Sequence, residues 1–187
     1  MNFKMKVNLT LDAKGMACPM PIVKTKKAID TLNAGEVLEV VATDKGSKAD
    51  IKAWADRVGH QYLGTTEEGD TLKHYIRKAT AEEENQEQTY PNVVNNEVLQ
   101  AKLNEDVVVI DVREPAEYAF GHIPGAISMP IGELETLAND VNKEATIYVV
   151  CRTGTRSDLA AKILSEKGFT NVFNVVPGMS KWEGPTA

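Results

Sequence analysis

Two short runs hold the residues capable of chemistry. The first is Cys151-Arg152-Thr153-Gly154-Thr155-Arg156-Ser157. It follows a β-branched run at residues 146–150 and precedes a helix-forming stretch at residues 157–167. A strand–loop–helix turn of this kind aims successive backbone N–H groups inward at a helix N-terminus, which makes an anion nest. The two arginines add fixed positive charge. A cysteine in that setting is expected to be held as the thiolate and so to be nucleophilic. Loop length then narrows the chemistry. Four residues separate Cys151 from Arg156, one fewer than in a cysteine phosphatase, whose loop must encircle a phosphoryl group. The shorter loop suits a smaller charge, such as one sulfur atom added to the cysteine. Arg156 is expected to act within the loop, although its guanidinium is equally able to brace the loop from outside.

The second run is Cys18-Pro19-Met20-Pro21. Proline is tolerated at the first positions of a helix, whose N–H groups lack intrahelical partners. Cys18 is therefore expected at the N-cap, its sulfur accepting from the amides of Met20 and Ile22, where the helix dipole favours a thiolate. Lys24 and Lys27 follow on one stripe, with Lys14 and Lys26 nearby. That basic surround either favours an anionic persulfide or an acidic partner, or is a solvated lysine face.

These runs need elements to hold them. Residues 6–11 alternate polar and apolar and predict a strand. Ile22, Thr25, Ile29 and Leu32 recur at spacings of three and four, predicting a helix over 19–32. Residues 36–42 predict a strand, and Ser47 an N-cap for a helix reaching Val58. Two more strands, at 60–66 and 71–77, are joined by a turn around Gly69. The order βαβαββ implies helices on one face of a small mixed sheet. Further along, 96–103 predicts a short helix and 107–111 a strand buried on both faces. A helix at 131–138, a strand at 146–150, a helix at 157–167 and a last strand at 172–175 follow. Strands alternating with helices imply a parallel sheet flanked by helices, in which ligands sit beyond a strand's carboxyl end. Cys151 is at that point.

Between these sets, residues 79–91 contain four glutamates and no aliphatic side chain larger than Ala. Such a stretch cannot bury enough surface to offset its ordering entropy and is expected to be a linker, or else a solvated helix. Charge changes sign across it, from +3 over 1–78 to −5 over 92–187, with −4 in the linker. The expected organisation is therefore a domain at 1–78, an acidic linker at 79–91 and a domain at 92–187.

The second half resembles the rhodanese-like sulfurtransferases. Besides the cysteine loop, the likeness rests on Asp111-Val112-Arg113-Glu114, Glu117-Tyr118, Gly121-His122-Ile123-Pro124-Gly125-Ala126 and Gly178-Met179-Ser180-Lys181-Trp182. The resemblance implies that Cys151 takes up sulfane sulfur as a persulfide, stabilised by the loop amides from Arg152 through Thr153, Gly154 and Thr155 to Arg156. It departs from the family at Pro177, where a glycine is frequent, which bears on the local turn. Asp111, Arg113 and His122 are expected to hold loops together. The first half resembles the TusA-like (SirA-like) sulfur carriers through the run from Leu11 to Ile29, with Pro19, Pro21 and Lys24 around Cys18. That family implies a βαβαββ two-layer sandwich in which Cys18 carries a persulfide, with no cofactor.

Together the resemblances imply a sulfur relay, with a rhodanese-type transferase working through Cys151 and a carrier working through Cys18. Two other classes stay open: a carrier or adaptor without turnover, and a thiol redox switch. Thiosulfate, polysulfide or a low-molecular-weight persulfide would suit as donor, and a cysteine desulfurase or thioredoxin as protein partner. Two cysteines 133 positions apart and three scattered histidines make neither a disulfide framework nor a metal site. The net charge of −6 and the lack of a basic–aromatic stripe give direct nucleic-acid binding little support. No apolar run approaches the roughly 20 residues of a membrane span, and no signal-peptide core is visible, so a reducing cytoplasm is the expected compartment.

Overall fold

The computed structural model describes residues 6–17, 19–79 and 87–187. The chain divides into two compact units, Met1–Ala81 and Glu82–Ala187.

In the first unit, β1 (Leu9–Ala13), α1 (Met20–Asp30), β2 (Val37–Ala42), α2 (Ser47–Val58), β3 (Gln61–Glu68) and β4 (Thr71–Arg77) follow the expected order. The sheet runs β1-β2-β4-β3. β1 pairs parallel with β2, and β4 is antiparallel to both β2 and β3. Leu38, Val40 and Ile76 lie on one sheet face because side chains alternate along a strand. Ile29 from α1 and Ile51, Trp54 and Ala55 from α2 close over them as one core. The α1 stripe buries Pro21, Thr25 and Ile29. Thr25 meets its polar requirement within the helix by donating to the Pro21 carbonyl at 2.6 Å. α2 ends where Gly59 turns left-handed at φ +87° and the His60 amide returns to Ala55 O, a stop that glycine makes without steric cost.

Three details differ from expectation, the first being β1, which runs Leu9–Ala13 rather than over 6–11. Ser47 is the first residue inside α2, after Gly46. Its hydroxyl donates to Asp44 O at 2.6 Å and meets His74 Nε2 at 2.9 Å instead of capping the helix. The partner that draws it inward is His74, fully buried on β4. At the start of α1 the cap is Pro19. The Met20 amide donates to Ala17 O at 3.0 Å and the Ile22 amide to Pro19 O at 3.1 Å. Both donors that a capping sulfur would have taken are bonded to the backbone.

The second unit comprises β5 (Val93–Asn95), α3 (Asn96–Lys102), β6 (Val108–Asp111), α4 (Pro115–Ala119), β7 (Ile127–Ser128), α5 (Leu134–Leu137), β8 (Thr146–Val150), α6 (Thr155–Glu166) and β9 (Asn171–Val176). Single 3-10 turns, Ile131–Glu133 and Ala138–Asp140, flank α5, so the helix expected over 131–138 is three short pieces. The sheet is β5-β9-β8-β6-β7, parallel throughout. On one face Ile110, Ile147 and Val149 meet Leu134, Ala138, Ala160 and Leu164. On the other, Val109, Tyr148 and Val150 meet Leu99, Ile123 and Ala126. β8 is therefore covered on both sides, which is why its sequence is apolar without alternation.

The end of the expected linker belongs to this unit. Tyr90 is 9% exposed. Its amide donates to Asp158 Oδ1 at 2.8 Å and its hydroxyl to Val172 O at 2.9 Å.

Candidate active site

Cys151 follows β8 directly and is fully buried. The Gly154 amide donates to its Sγ at 3.1 Å, and Ser157 Oγ lies 3.3 Å from the same sulfur. An amide aimed at sulfur stabilises negative charge there. The turn depends on Gly154, which sits at φ +100° as the N-cap of α6. A Cβ at that position would approach Val176 Cγ1 to 2.6 Å, so a side chain is excluded by conformation and by space. α6 starts at Thr155, two residues before the expected position. Arg156 and Ser157 are thus in its first turn.

Arg156 braces the loop. Its guanidinium makes a two-pronged ion pair with Glu117 at 2.7 and 3.1 Å. The Glu117 side chain is fully buried, and it also accepts from the Glu114 amide at 3.1 Å, closing a capping box on α4. One carboxylate therefore fixes both the helix start and the arginine. Arg152, Thr153 and Thr155 complete the loop; Gln88 Nε2 donates to the Thr153 carbonyl at 3.4 Å.

The carbonyl side of the loop is held by the turn after Pro177. Met179 N donates to Cys151 O at 2.8 Å and Ser180 N to Arg152 O at 2.9 Å. Gly178 stands at φ +90°, and a Cβ on it would fall 2.4 Å from Cys151 O. Asn96 grips Gly178 at both backbone groups, donating to its carbonyl at 2.9 Å and accepting from its amide at 3.1 Å. Asp111 and Arg113 form a buried pair at 2.7 Å, and Arg113 continues to Gly121 O at 2.8 Å. His122 stacks on Tyr118 with ring centres 3.7 Å apart and donates from Nδ1 to Tyr118 O at 2.9 Å. These three residues tie loops to one another, as their sequence context implied.

Around the other cysteine, Cys18 lies outside the described residues. Pro19 is the N-cap of α1, Pro21 is its buried second residue and Lys24 is half-buried one turn on. Met20 and Val23 are exposed beside them, at 46% and 39%. Among the described residues no group of three or more His, Cys, Asp or Glu side chains converges as a metal site would require. No helix among them is long and apolar enough to cross a membrane.

Ser157, Asn174 and Asn96 were not singled out from sequence. Asn174 carried a signal: it is a fully buried polar residue within the apolar run of β9, a local conflict of the kind that marks functional sites.

Cys151 thus stands at the carboxyl end of a central parallel strand, on a loop shaped by a glycine turn and braced by an arginine, where α/β sheets bind ligands. The first unit is a βαβαββ sandwich. The family model for Sulfurtransferase TusA matches residues 9–78 and that for the Rhodanese-like domain matches residues 95–185. The Bacillus subtilis protein YrkF, provisionally named a sulfur carrier, is 48% identical over 184 residues, covering 97% of this chain and 99% of its own. A protein of Allochromatium vinosum named Sulfurtransferase is 33% identical over 93 residues, covering 49% of this chain and 87% of its own. A rhodanese-like domain from Anabaena, solved by NMR in solution, superposes with a TM-score of 0.50 at 30% identity, covering 52% of this chain and 79% of that one. The chain belongs to the sulfur carrier and sulfurtransferase family in which a TusA domain is followed by a rhodanese-like domain.

Proposed function

We propose that this chain relays sulfane sulfur through two cysteine persulfides, one on Cys151 and one on Cys18. The Cys151 thiolate attacks the terminal sulfur of thiosulfate, polysulfide or a low-molecular-weight persulfide. An S–S bond forms to Cys151, and the donor's S–S bond breaks with its electron pair leaving on sulfite, on the shortened polysulfide or on a thiolate, according to the donor. The Cys18 thiolate then attacks the outer sulfur of Cys151–S–S⁻, and Cys151 departs as the thiolate; the reverse direction follows the same steps. An acceptor protein takes the sulfur from the carrier unit.

The observation that supports this reading most strongly is the Gly154 amide 3.1 Å from Cys151 Sγ, on a loop with both ends fastened. A fixed donor stabilises the thiolate that attacks and the one that leaves. Chain length supports the relay step. Lys78 is bonded into the first unit at Glu36 O and Gln88 into the second at Thr153 O. The chain from one to the other extends to at most about 35 Å, which gives an intramolecular effective concentration in the millimolar range.

The test is turnover. Thiosulfate with cyanide or a thiol acceptor is expected to release sulfite continuously in the parent chain and in Cys18→Ser. It is expected to stop in Cys151→Ser. Equal release by Cys151→Ser overturns the role of Cys151, and absence of turnover with every donor leaves the chain a carrier without catalysis.

A further inference from the structure

Ser157 and Asn174 form a buried pair beside the reacting sulfur that the loop geometry alone does not require. Ser157, Asn174 and Cys151 are each fully buried. Ser157 Oγ lies 2.5 Å from Asn174 Oδ1 and 3.3 Å from Cys151 Sγ. The amide orientation of Asn174 is fixed by its other end, where Nδ2 donates to Gly154 O at 3.2 Å. A flipped amide would set two oxygens against each other. Oδ1 therefore faces Ser157 as an acceptor, and the single hydroxyl proton of Ser157 is committed to it.

That commitment has a consequence for the cysteine. With its proton on Asn174, Ser157 presents only lone pairs to Sγ. A thiol satisfies this arrangement by donating S–H to Ser157 Oγ. A thiolate, or the inner sulfur of a persulfide, has no such proton and gains a bond only when Ser157 turns its hydroxyl from Asn174 to the sulfur. Asn174 Oδ1 is then left without that donor inside the protein, which opposes the turn.

We propose that Ser157 and Asn174 are positioning residues that set the charge state of Cys151, Asn174 Oδ1 competing with the sulfur for the one hydroxyl proton of Ser157. In the resting thiol the proton lies on Asn174. On ionisation the thiol proton leaves to solvent, the Ser157 O–H rotates onto sulfur, and no covalent bond to Ser157 or Asn174 changes. The proposal rests on Cys151 being the reacting cysteine. The charged groups on the elements packed around it are Arg152 on the loop, Arg156, Asp158, Lys162 and Glu166 on α6, Glu117 on α4, Asp111 at the end of β6 with Arg113 just after it, and Lys181 in the turn after Pro177. Glu117 is paired with Arg156, Asp111 with Arg113 and Asp158 with Lys162.

The pair makes opposite predictions for its two members. Ser157→Ala removes the donor to the charged sulfur and is expected to raise the thiol ionisation midpoint by about one pH unit. Ser157→Thr restores the parent midpoint. Asn174→Leu frees the hydroxyl proton for the sulfur and is expected to lower the midpoint. The readout is ultraviolet thiolate absorbance against pH on the full chain, each variant minus its Cys151→Ser counterpart. Shifts of opposite sign support the proposal; no shift, or shifts of the same sign, overturn it. Where Asn174→Leu does not fold cooperatively, Asn174→Ala removes the same acceptor with less bulk and is expected to lower the midpoint; an unchanged or raised value overturns the proposal. Sulfur loading of Cys151, scored separately by mass, reports whether Cys151 is the reacting cysteine, so its failure is told apart from failure of the proposal.

Discussion

Removing Glu117 perturbs the site through one buried charge. The Glu117 side chain is 0% exposed and that of Arg156 15%, so Glu117→Ala leaves a largely desolvated guanidinium without this partner. Breaking a buried pair from one side costs about 3–5 kcal/mol. The residual exposure of Arg156 argues for the lower end, about 3 kcal/mol. For a unit of roughly 100 residues each kcal/mol moves the transition by about 4–8 °C, which puts the expected loss near 12–24 °C. Scanning calorimetry of the full chain reads it, because the two units have separate cores and only the second should move. Glu117→Gln keeps the shape and one acceptor and is expected to lose about half as much. The double variant Glu117→Ala/Arg156→Met removes the charge that has lost Glu117 and is expected to regain about 1–3 kcal/mol relative to the single change. A Glu117→Ala chain within about 1 kcal/mol of the parent, a scale typical of surface changes, would refute the reasoning, as would a double variant no better than the single one.

Three further expectations follow from the same geometry. Gly178→Ala, with its Cβ 2.4 Å from Cys151 O, is expected to abolish sulfite release while leaving the first unit's transition in place; normal release rates would contradict the clasp. His74 is buried, and loss of hydration, then the nearby Lys48 charge, lowers its pKa from 6.5 to about 4. The unfolded chain binds more protons between those values, so stability should be constant above about pH 6.5 and fall by up to about 3 kcal/mol as pH drops to 4. His60, also lowered, acts in the same direction; a His74→Gln chain with an unchanged profile would contradict this assignment. Gly154→Ala, at φ +100° and 2.6 Å from Val176, should remove sulfur loading of Cys151 and lower the second unit's transition, which mass and calorimetry check together.

The parts of the fold set by pattern were legible in sequence. β8 shows as an unbroken apolar run because it is covered on both faces, and α1 shows as a stripe because it is covered on one. The short elements were not. β5 and β7 have three and two residues, too few for any periodicity. α4 has five residues and is held by a capping box, whose Glu-Pro-Ala-Glu signature was present but could not be told from a loop without knowing that Glu117 also meets Arg156. The cysteine loop was legible because its residue types are local. Its supports Asn96 and Asn174 were not, since they reach it from distant chain positions, and Gly178 was legible only as part of a family motif. Ser47 had the right type for an N-cap, but His74, 27 residues away, captured its hydroxyl.

The central claim is that sulfur moves between Cys151 and Cys18 in one chain. Its most direct measurement is peptide-level mass mapping over time, after one equivalent of persulfide is loaded on Cys151 and excess donor is removed. The account predicts that the added sulfur leaves the Cys151 peptide and appears on the Cys18 peptide at a rate independent of protein concentration. Sulfur that stays on Cys151, or reaches solution without ever appearing on a reduced Cys18, would contradict it.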